Sequence, residues 1–406
     1  MNQKDRGSLR KRSKEQAALN IQPSDLQGIG RLAITATTNI TDLVETVHSA
    51  VMAPPRLRPT PAKHRTRGIT GFVYRSVRGV THLVGGAIDL ALAPAVAMLE
   101  TTATTDERES LIAALNGVVG DHLAATHNPL AIQPALRRNI PATEATNKVV
   151  ILVHGLCMND RQWQRKGHDH GAALAHDLGY TPLYIHYNSG QHISTNGRIL
   201  ADLLETTLAD WPQPVDEVVI IGHSMGGLVA RSACHYAVQA AYRWPEHLRK
   251  LVFLGTPHHG SPLERGGNLI DIGLGSLSYT AAFSMLGKLR SAGITDLRHG
   301  SLLDEDWLDH DRFAHNHDTR QPLPLPERVH CYAIAAALDE SEAGYVSNLL
   351  GDGLVPIASA HGRHAREEHH LAIPEAQRWT GYGMHHLDLL DHPAVYAQLH
   401  AWLKEK

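Results

Sequence analysis

The stretch EVVIIGHSMGGLVARSACHYAVQ, Glu217 to Gln239, decides the fold. Glu217 to His223 is an almost unbroken apolar run, as a strand buried on both faces requires. Met225 to Gln239 is compatible with a helix. Between them stands Gly222-His223-Ser224-Met225-Gly226, a G-x-S-x-G sequence. Alone the pattern is weak, because it arises by chance. Between a buried strand and a helix it predicts a sharp elbow that presents a nucleophile. Gly222 and Gly226 remove side chains that would collide in so tight a turn. Ser224 Oγ is then exposed at the carboxyl edge of a sheet, above a helix N-terminus that favours developing negative charge.

Outward from the elbow, strands and helices alternate. VVILVHG (Val149 to Gly155), PLYIHYN (Pro182 to Asn188), KLVFLGTP (Lys250 to Pro257) and RVHCYAIAAAL (Arg328 to Leu338) read as further strands. Helices are expected over about Thr195 to Leu208 and Pro393 to Trp402. Such alternation predicts an α/β protein with a mostly parallel sheet covered on both faces. The alternation lapses over about 260–327, where an insert rich in Gly, Leu, Ser and His follows a strand end. That position suits a lid or cap over a crevice. Upstream, residues 1–25 read as a flexible polar tail and 26–140 as a helical region without strand-like runs, which leaves 141–406 as the catalytic domain. Helical stripes in the upstream block run through Ile40, Leu43, Val44, Val47 and Val51, through Val73, Val77, Val80, Val84, Ile88 and Leu92, and through Leu111, Leu115, Val118, Val119 and Leu123. They predict helices that pack on one another or on the catalytic domain.

A serine hydroxyl is a weak nucleophile without a base to take its proton, and a carboxylate must orient that base. A nucleophile on such an elbow is followed in the chain by its acid and then its histidine. His386, in GMHHLDLL just before the final helix, is the favoured base, with His385 as its alternative. Asp352, between Gly351 and Gly353, is the favoured acid, with Asp339 as the fallback. The elbow supplies the Met225 N–H as one oxyanion donor. The loop after the first strand, His154-Gly155-Leu156, offers the Leu156 N–H as the second, with Cys157 as its alternative. His192 and His258, which follow predicted strands, are candidates for the substrate pocket, and so is His154 at the end of the first strand, where a structural hydrogen-bonding role also fits.

HGL at 154–156, GHSMGG at 222–227, GTPHHGSP at 255–262 and DGLVP at 352–356 occur in one order. In these motifs the chain resembles the α/β-hydrolase superfamily, in particular its lipase and esterase branch. Bacterial triacylglycerol lipases and GPI inositol-deacylase-like proteins are similar. The resemblance covers about 147–406. It implies an α/β-hydrolase fold, Ser224, Asp352 and His386 as a catalytic triad, and Leu156 and Met225 as oxyanion donors. In some secreted bacterial lipases an Asp two residues beyond the catalytic His helps to hold calcium, and Asp388 occupies that offset. The helical extension at 26–140 departs from the pattern of simple lipases.

Composition narrows the remaining classes. Of 406 residues 43% are hydrophobic and 19% charged, which excludes a chain disordered throughout. The 38 Lys and Arg against 41 Asp and Glu leave a net charge of −3, and with only 5% aromatics nothing points to nucleic acid. Three cysteines, Cys157, Cys234 and Cys331, fit a reducing, cytoplasmic setting. No secretory signal is evident, and the most apolar run, Val80 to Leu99, is broken by His82, Gly85-Gly86, Asp89 and Pro94. Arg56, Arg58, Lys63, Arg65, Arg67, Arg75 and Arg78 form a locally basic stretch that suits peripheral contact with anionic lipid. Histidine is abundant, at 29, yet neither His168-Asp169-His170 nor His361-x-x-His364 belongs to a zinc pattern, and no cofactor motif is present. The expectation is a serine hydrolase acting on esters with a hydrophobic acyl group. An acyltransferase, thioesterase or amidase using the same triad, or a module that binds lipid, are the alternatives. A homo-oligomer is compatible with the sequence.

Overall fold

A computed structural model of the chain describes residues 24–25, 27–32, 106–261, 291–309, 318–341 and 351–405. The chain divides into two units, 1–108 with 126–130, and 109–125 with 131–406. In the first, Arg108 pairs with Asp25 at 2.6 Å and the Asn128 side chain donates to the Gly28 carbonyl at 3.1 Å. The two upstream stripes through Ile40 and Val73, the basic stretch and the tail as far as Pro23 lie outside the described residues, and Ser24 and Asp25 at the tail's end are helical.

The second unit holds a sheet of seven strands in the order β1-β3-β2-β4-β5-β6-β7. These are β1 (Ala135–Arg137), β2 (Lys148–Val153), β3 (Thr181–His186), β4 (Glu217–His223), β5 (Leu248–Leu254), β6 (His330–Ala337) and β7 (Arg378–Tyr382). All neighbours are parallel except β1, which runs antiparallel to β3. The helices are α1 (Asp106–Ala125), α2 (His170–Leu178), α3 (Ile193–Ala209), α4 (Met225–Gln239) and α5 (Pro393–Lys404), besides short turns. Among the described residues no helix is long and apolar enough to cross a membrane.

The apolar strand runs explain the layering. Successive side chains of a strand point to opposite faces. Val149, Ile151 and Val153 of β2 therefore join one core with Ile220, Leu200 and Leu228, while Val150 and Leu152 join another with Ile221, Leu174 and Leu399. Helices α3 and α4 cover the first face, and α2 and α5 the second. The register aligns Val153 with Gly222, and Gly222 with Phe253. The loops that leave β2, β4 and β5 consequently emerge side by side at the carboxyl edge.

Three elements differ from the sequence expectation. The sheet begins at Ala135, inside the region read as free of strands, because β1 is a three-residue edge strand with half-buried side chains and no apolar run. Strand β7, RWTGY, has one fully buried position and likewise shows no apolar run. Helix α1 forms where the stripe from Leu111 to Leu123 predicts it, and from Glu109 onward it belongs to the sheet's own unit. Its buried face combines the C-terminal part of the stripe, Val118, Val119 and Leu123, with small residues ahead of it. Leu111 and Leu115 are only half-buried, whereas Ala113, Asn116, Gly117 and Gly120 are buried. The helix bends at Val119 (φ −134°, ψ 20°), between the two glycines.

Candidate active site

Ser224 stands between β4 and α4 with φ 54° and ψ −126°. A non-glycine residue there is strained, and it persists only where its surroundings hold it. Its N–H donates to the Leu254 carbonyl at 2.8 Å, which ties the turn to β5. Space around it is minimal. A Cβ on Gly222 would lie 2.5 Å from Gly227 Cα, and one on Gly226 would lie 2.1 Å from the Val153 carbonyl oxygen. Both glycines are therefore required by close approach of backbone to backbone.

Asp352 and His386 meet although 34 residues apart, with His386 Nδ1 at 2.6 Å from Asp352 Oδ2. The carboxylate is 3% exposed, and its other oxygen accepts the N–H groups of Leu354 and Val355, both at 2.9 Å. The turn reaches the end of β6 because the Leu338 N–H donates to the Gly351 carbonyl at 3.0 Å. Gly351 and Gly353 take φ of 57° and 91°, which a side chain would strain. With Nδ1–H directed at the carboxylate, His386 Nε2 keeps its lone pair. The neighbouring His385 is exposed, and its N–H is capped by Asp388 at 2.9 Å. Asp339 stays near the end of β6, where its carbonyl accepts the Gly383 N–H, so it is Asp352 that reaches the imidazole.

Ser224 and His386 line one cavity of about 200 Å³. Leu156, Met158, Leu297, Val355, Leu387 and Leu390 make its walls largely apolar, and Gln162, Gln164 and Arg165 add polar groups. Leu297 comes from the described part of the 260–327 insert, and residues 262–290 and 310–317 of that insert lie outside the described set. Leu156 sits in the loop after β2. The next residue, Cys157, has φ 60°, and its N–H donates to Ser189 Oγ at 3.1 Å. Its thiol is inert, since burial pushes its pKa up to about 12. Of the two sequence candidates for a donor in this loop, the Cys157 N–H is already engaged.

That loop is braced by α1. Cys157 Sγ lies 3.7 Å from the Ala114 carbonyl, and a Cβ on Gly117 would meet Cys157 Sγ at 2.2 Å and its Cα and N at 2.8 Å. Asn188, after β3, donates to the Gly120 carbonyl at 2.8 Å. Ser291 donates to the Gly117 carbonyl at 2.6 Å. Ser189 and the small-residue face of α1 were not read from the sequence, because neither a lone loop serine nor a run of Ala, Asn and Gly has a periodic signal.

The other histidine candidates are placed away from the cavity. His154 is fully buried, stacks on Tyr187 at 4.2 Å and bonds the Gly155 carbonyl at 2.9 Å; burial holds its pKa down to about 3. His192 pairs with Asp296 at 3.0 Å and stacks on Trp307 at 3.8 Å. His258 is fully buried behind Pro257, edge-on to Phe253. His223, the residue before Ser224, does line the cavity. Burial first, and then the His386 ring beside it, hold His223 well below the ordinary histidine range. Asp388 is paired with Lys166 at 3.3 Å besides capping His385, and among the described residues no three His, Cys, Asp or Glu side chains converge as a metal would need.

Residues 144–320 match the family model described as PGAP1-like alpha/beta domain. No curated protein matches the chain. Among solved structures, the mature lipase BlEst2 of Bacillus licheniformis is 18% identical, covering 67% of this chain and 97% of its own, with a TM-score of 0.40. A lipase-esterase related protein of Clostridium acetobutylicum is 12% identical, covering 67% and 98%, with a TM-score of 0.36. The metagenomic carboxyl esterase MGS0156 is 18% identical, covering 60% and 65%, with a TM-score of 0.36. By its mostly parallel sheet and its strand-to-helix elbow this chain has the α/β-hydrolase fold, and over residues 144–320 it is similar to the PGAP1-like alpha/beta domain.

Proposed function

We propose that the protein is a serine hydrolase of carboxylic esters with a hydrophobic acyl group. The observation that carries this reading is His386, bonded to buried Asp352 at 2.6 Å and lining one cavity with the strained Ser224. Ser224 Oγ attacks the ester carbonyl while His386 Nε2 takes its proton. Asp352 keeps the imidazole in the tautomer that can accept, and stabilises the imidazolium that forms. The oxyanion is received by the Met225 N–H, which opens α4 where no intrahelical acceptor exists, and by the Leu156 N–H. His386 then returns the proton to the leaving alkoxide. Water, deprotonated by the same imidazole, releases the acid and regenerates Ser224. The leucine-lined cavity favours an apolar acyl chain over a charged one.

Hydrolysis of a series of p-nitrophenyl acyl esters, together with fluorophosphonate labelling, tests the reading. The parent protein is expected to label at Ser224 and to hydrolyse the esters, and Ser224→Ala to lose both. Hydrolysis that persists at the parent rate in Ser224→Ala would overturn the proposal.

A further inference from the structure

Arg165 is the one Lys, Arg, Asp or Glu among the described residues that line the Ser224 cavity. Its side chain is 35% exposed, so it stands at the rim, where the cavity meets solvent. Its Nε donates to Asp391 Oδ2 at 3.0 Å, and its two terminal nitrogens have no partner among the described residues.

Asp391 does not depend on this contact alone. Lys166 Nζ reaches the same carboxylate oxygen at 3.2 Å, and Asp388 at 3.3 Å. Neither carboxylate lines the cavity, so a group entering it meets the guanidinium and not the acids. Asp391 directly follows the turn His386–Leu390. Arg165 is therefore held by the short turn that carries the imidazole bonded to Asp352.

The same rim adds neutral donors. The Gln162 side-chain oxygen turns back to accept the Asn159 N–H at 3.0 Å, which leaves its amide NH2 as the free end. Gln164 supplies a further amide. The cavity thus joins a leucine-lined interior to a rim that donates hydrogen bonds and carries one positive charge. An amphiphile with an apolar chain and an oxyanion complements both ends, because a guanidinium binds such an oxyanion through paired donors.

We propose that the preferred substrates are acyl esters whose alcohol carries an oxyanion, and that Arg165 is the residue that selects them. The proposal rests on the esterase reading above. In that reading His386 returns its proton to the leaving alkoxide, so the alcohol lies on the His386 side, where the Asp391 contact holds Arg165. The acyl chain takes the apolar interior.

Hydrolysis of 1-decanoylglycerol and 1-decanoylglycerol 3-phosphate, which differ only in the phosphate, tests this on the full chain. The phosphate ester is expected to be favoured roughly tenfold in kcat/KM. That ratio should fall toward one in Arg165→Gln and lie between the two in Arg165→Lys. In Arg165→Gln, Lys166 still pairs with Asp391. Equal kcat/KM for the two esters in the parent, or a preference that survives Arg165→Gln, overturns the proposal. Calorimetry with octyl phosphate against 1-octanol reads the rim without turnover. The phosphate is expected to bind roughly tenfold more tightly to the parent, and Arg165→Gln to lose the difference. Equal binding of the two by the parent also overturns the proposal. Phosphate-selective binding through Arg165 with neither ester hydrolysed would sink the esterase reading and leave the anion site standing. If Arg165→Gln does not fold, the two comparisons on the parent chain decide.

Discussion

The two loops that flank the Ser224 hydroxyl are held by different parts of the chain. The elbow is tightened from within: Gly222 and Gly226 stand two residues either side of Ser224, and their missing side chains let backbone press on backbone. The loop at Leu156 and Cys157 is held from outside. Its left-handed Cys157 is fixed by Ser189 from the β3 loop and by the Gly117 face of α1, about forty residues upstream. The proposed nucleophile is thus held by a local device, and the proposed second oxyanion donor depends on parts brought from elsewhere.

Substitutions can separate the two. The largest effect is expected on the elbow side, where Asp352→Asn leaves His386 in the wrong tautomer. Steady-state kinetics on a p-nitrophenyl ester should show kcat reduced roughly ten-thousandfold. Unchanged kcat would remove Asp352 from the proposed triad.

Acid acts on both loops together, because His154 lies beneath one and His223 beneath the other. Both are neutral when folded, His154 with a pKa of about 3 and His223 well below the ordinary range. Below pH 6.5 the unfolded chain binds protons that these rings refuse, so stability falls as pH falls. The loss should be about 1.4 kcal/mol per pH unit for each ring, until the pH reaches that ring's folded value. Urea unfolding at pH 7, 6 and 5 measures it, and a flat profile would contradict the buried, neutral state of both.

On the braced side, Gly117→Ala should favour the helix by propensity yet force α1 off the Cys157 backbone. We expect kcat to fall roughly 10–100-fold with KM changed less than about twofold, as for partial loss of an oxyanion donor. Parent kinetics in this variant would show that the loop holds its shape without α1. The smallest effect is expected for Ser189→Ala, which strips the acceptor from the Cys157 N–H and should lower kcat about two- to tenfold.

What could be read from the sequence follows the same division. The buried strands β2, β4 and β5 and the elbow are written in contiguous residues, and so is the Asp352 turn with its paired glycines. Choosing His386 over His385 needed the structure, since adjacent imidazoles differ only in which one turns toward Asp352. Strands β1 and β7 escape notice because their half-buried positions carry no apolar run. Helix α2 opens on His170, amid residues that tempt a metal reading, while His170 in fact bonds the Leu389 carbonyl at 3.0 Å. For α1 the stripe locates the helix and, in Val118, Val119 and Leu123, part of its buried face, but it misses Gly117 and Gly120, because small residues dock without standing out in a hydrophobic pattern.

The seating of Gly117 and Gly120 has a practical corollary for anyone shortening this chain. A fragment cut to start at the first parallel strand would retain Ser224, Asp352 and His386 intact, and a probe that reacts with the hydroxyl would still find its target. Turnover would suffer nonetheless, since the amide expected to steady the charged intermediate would have lost its scaffold. Labelling without turnover in such a fragment would therefore report a missing support, not a missing nucleophile.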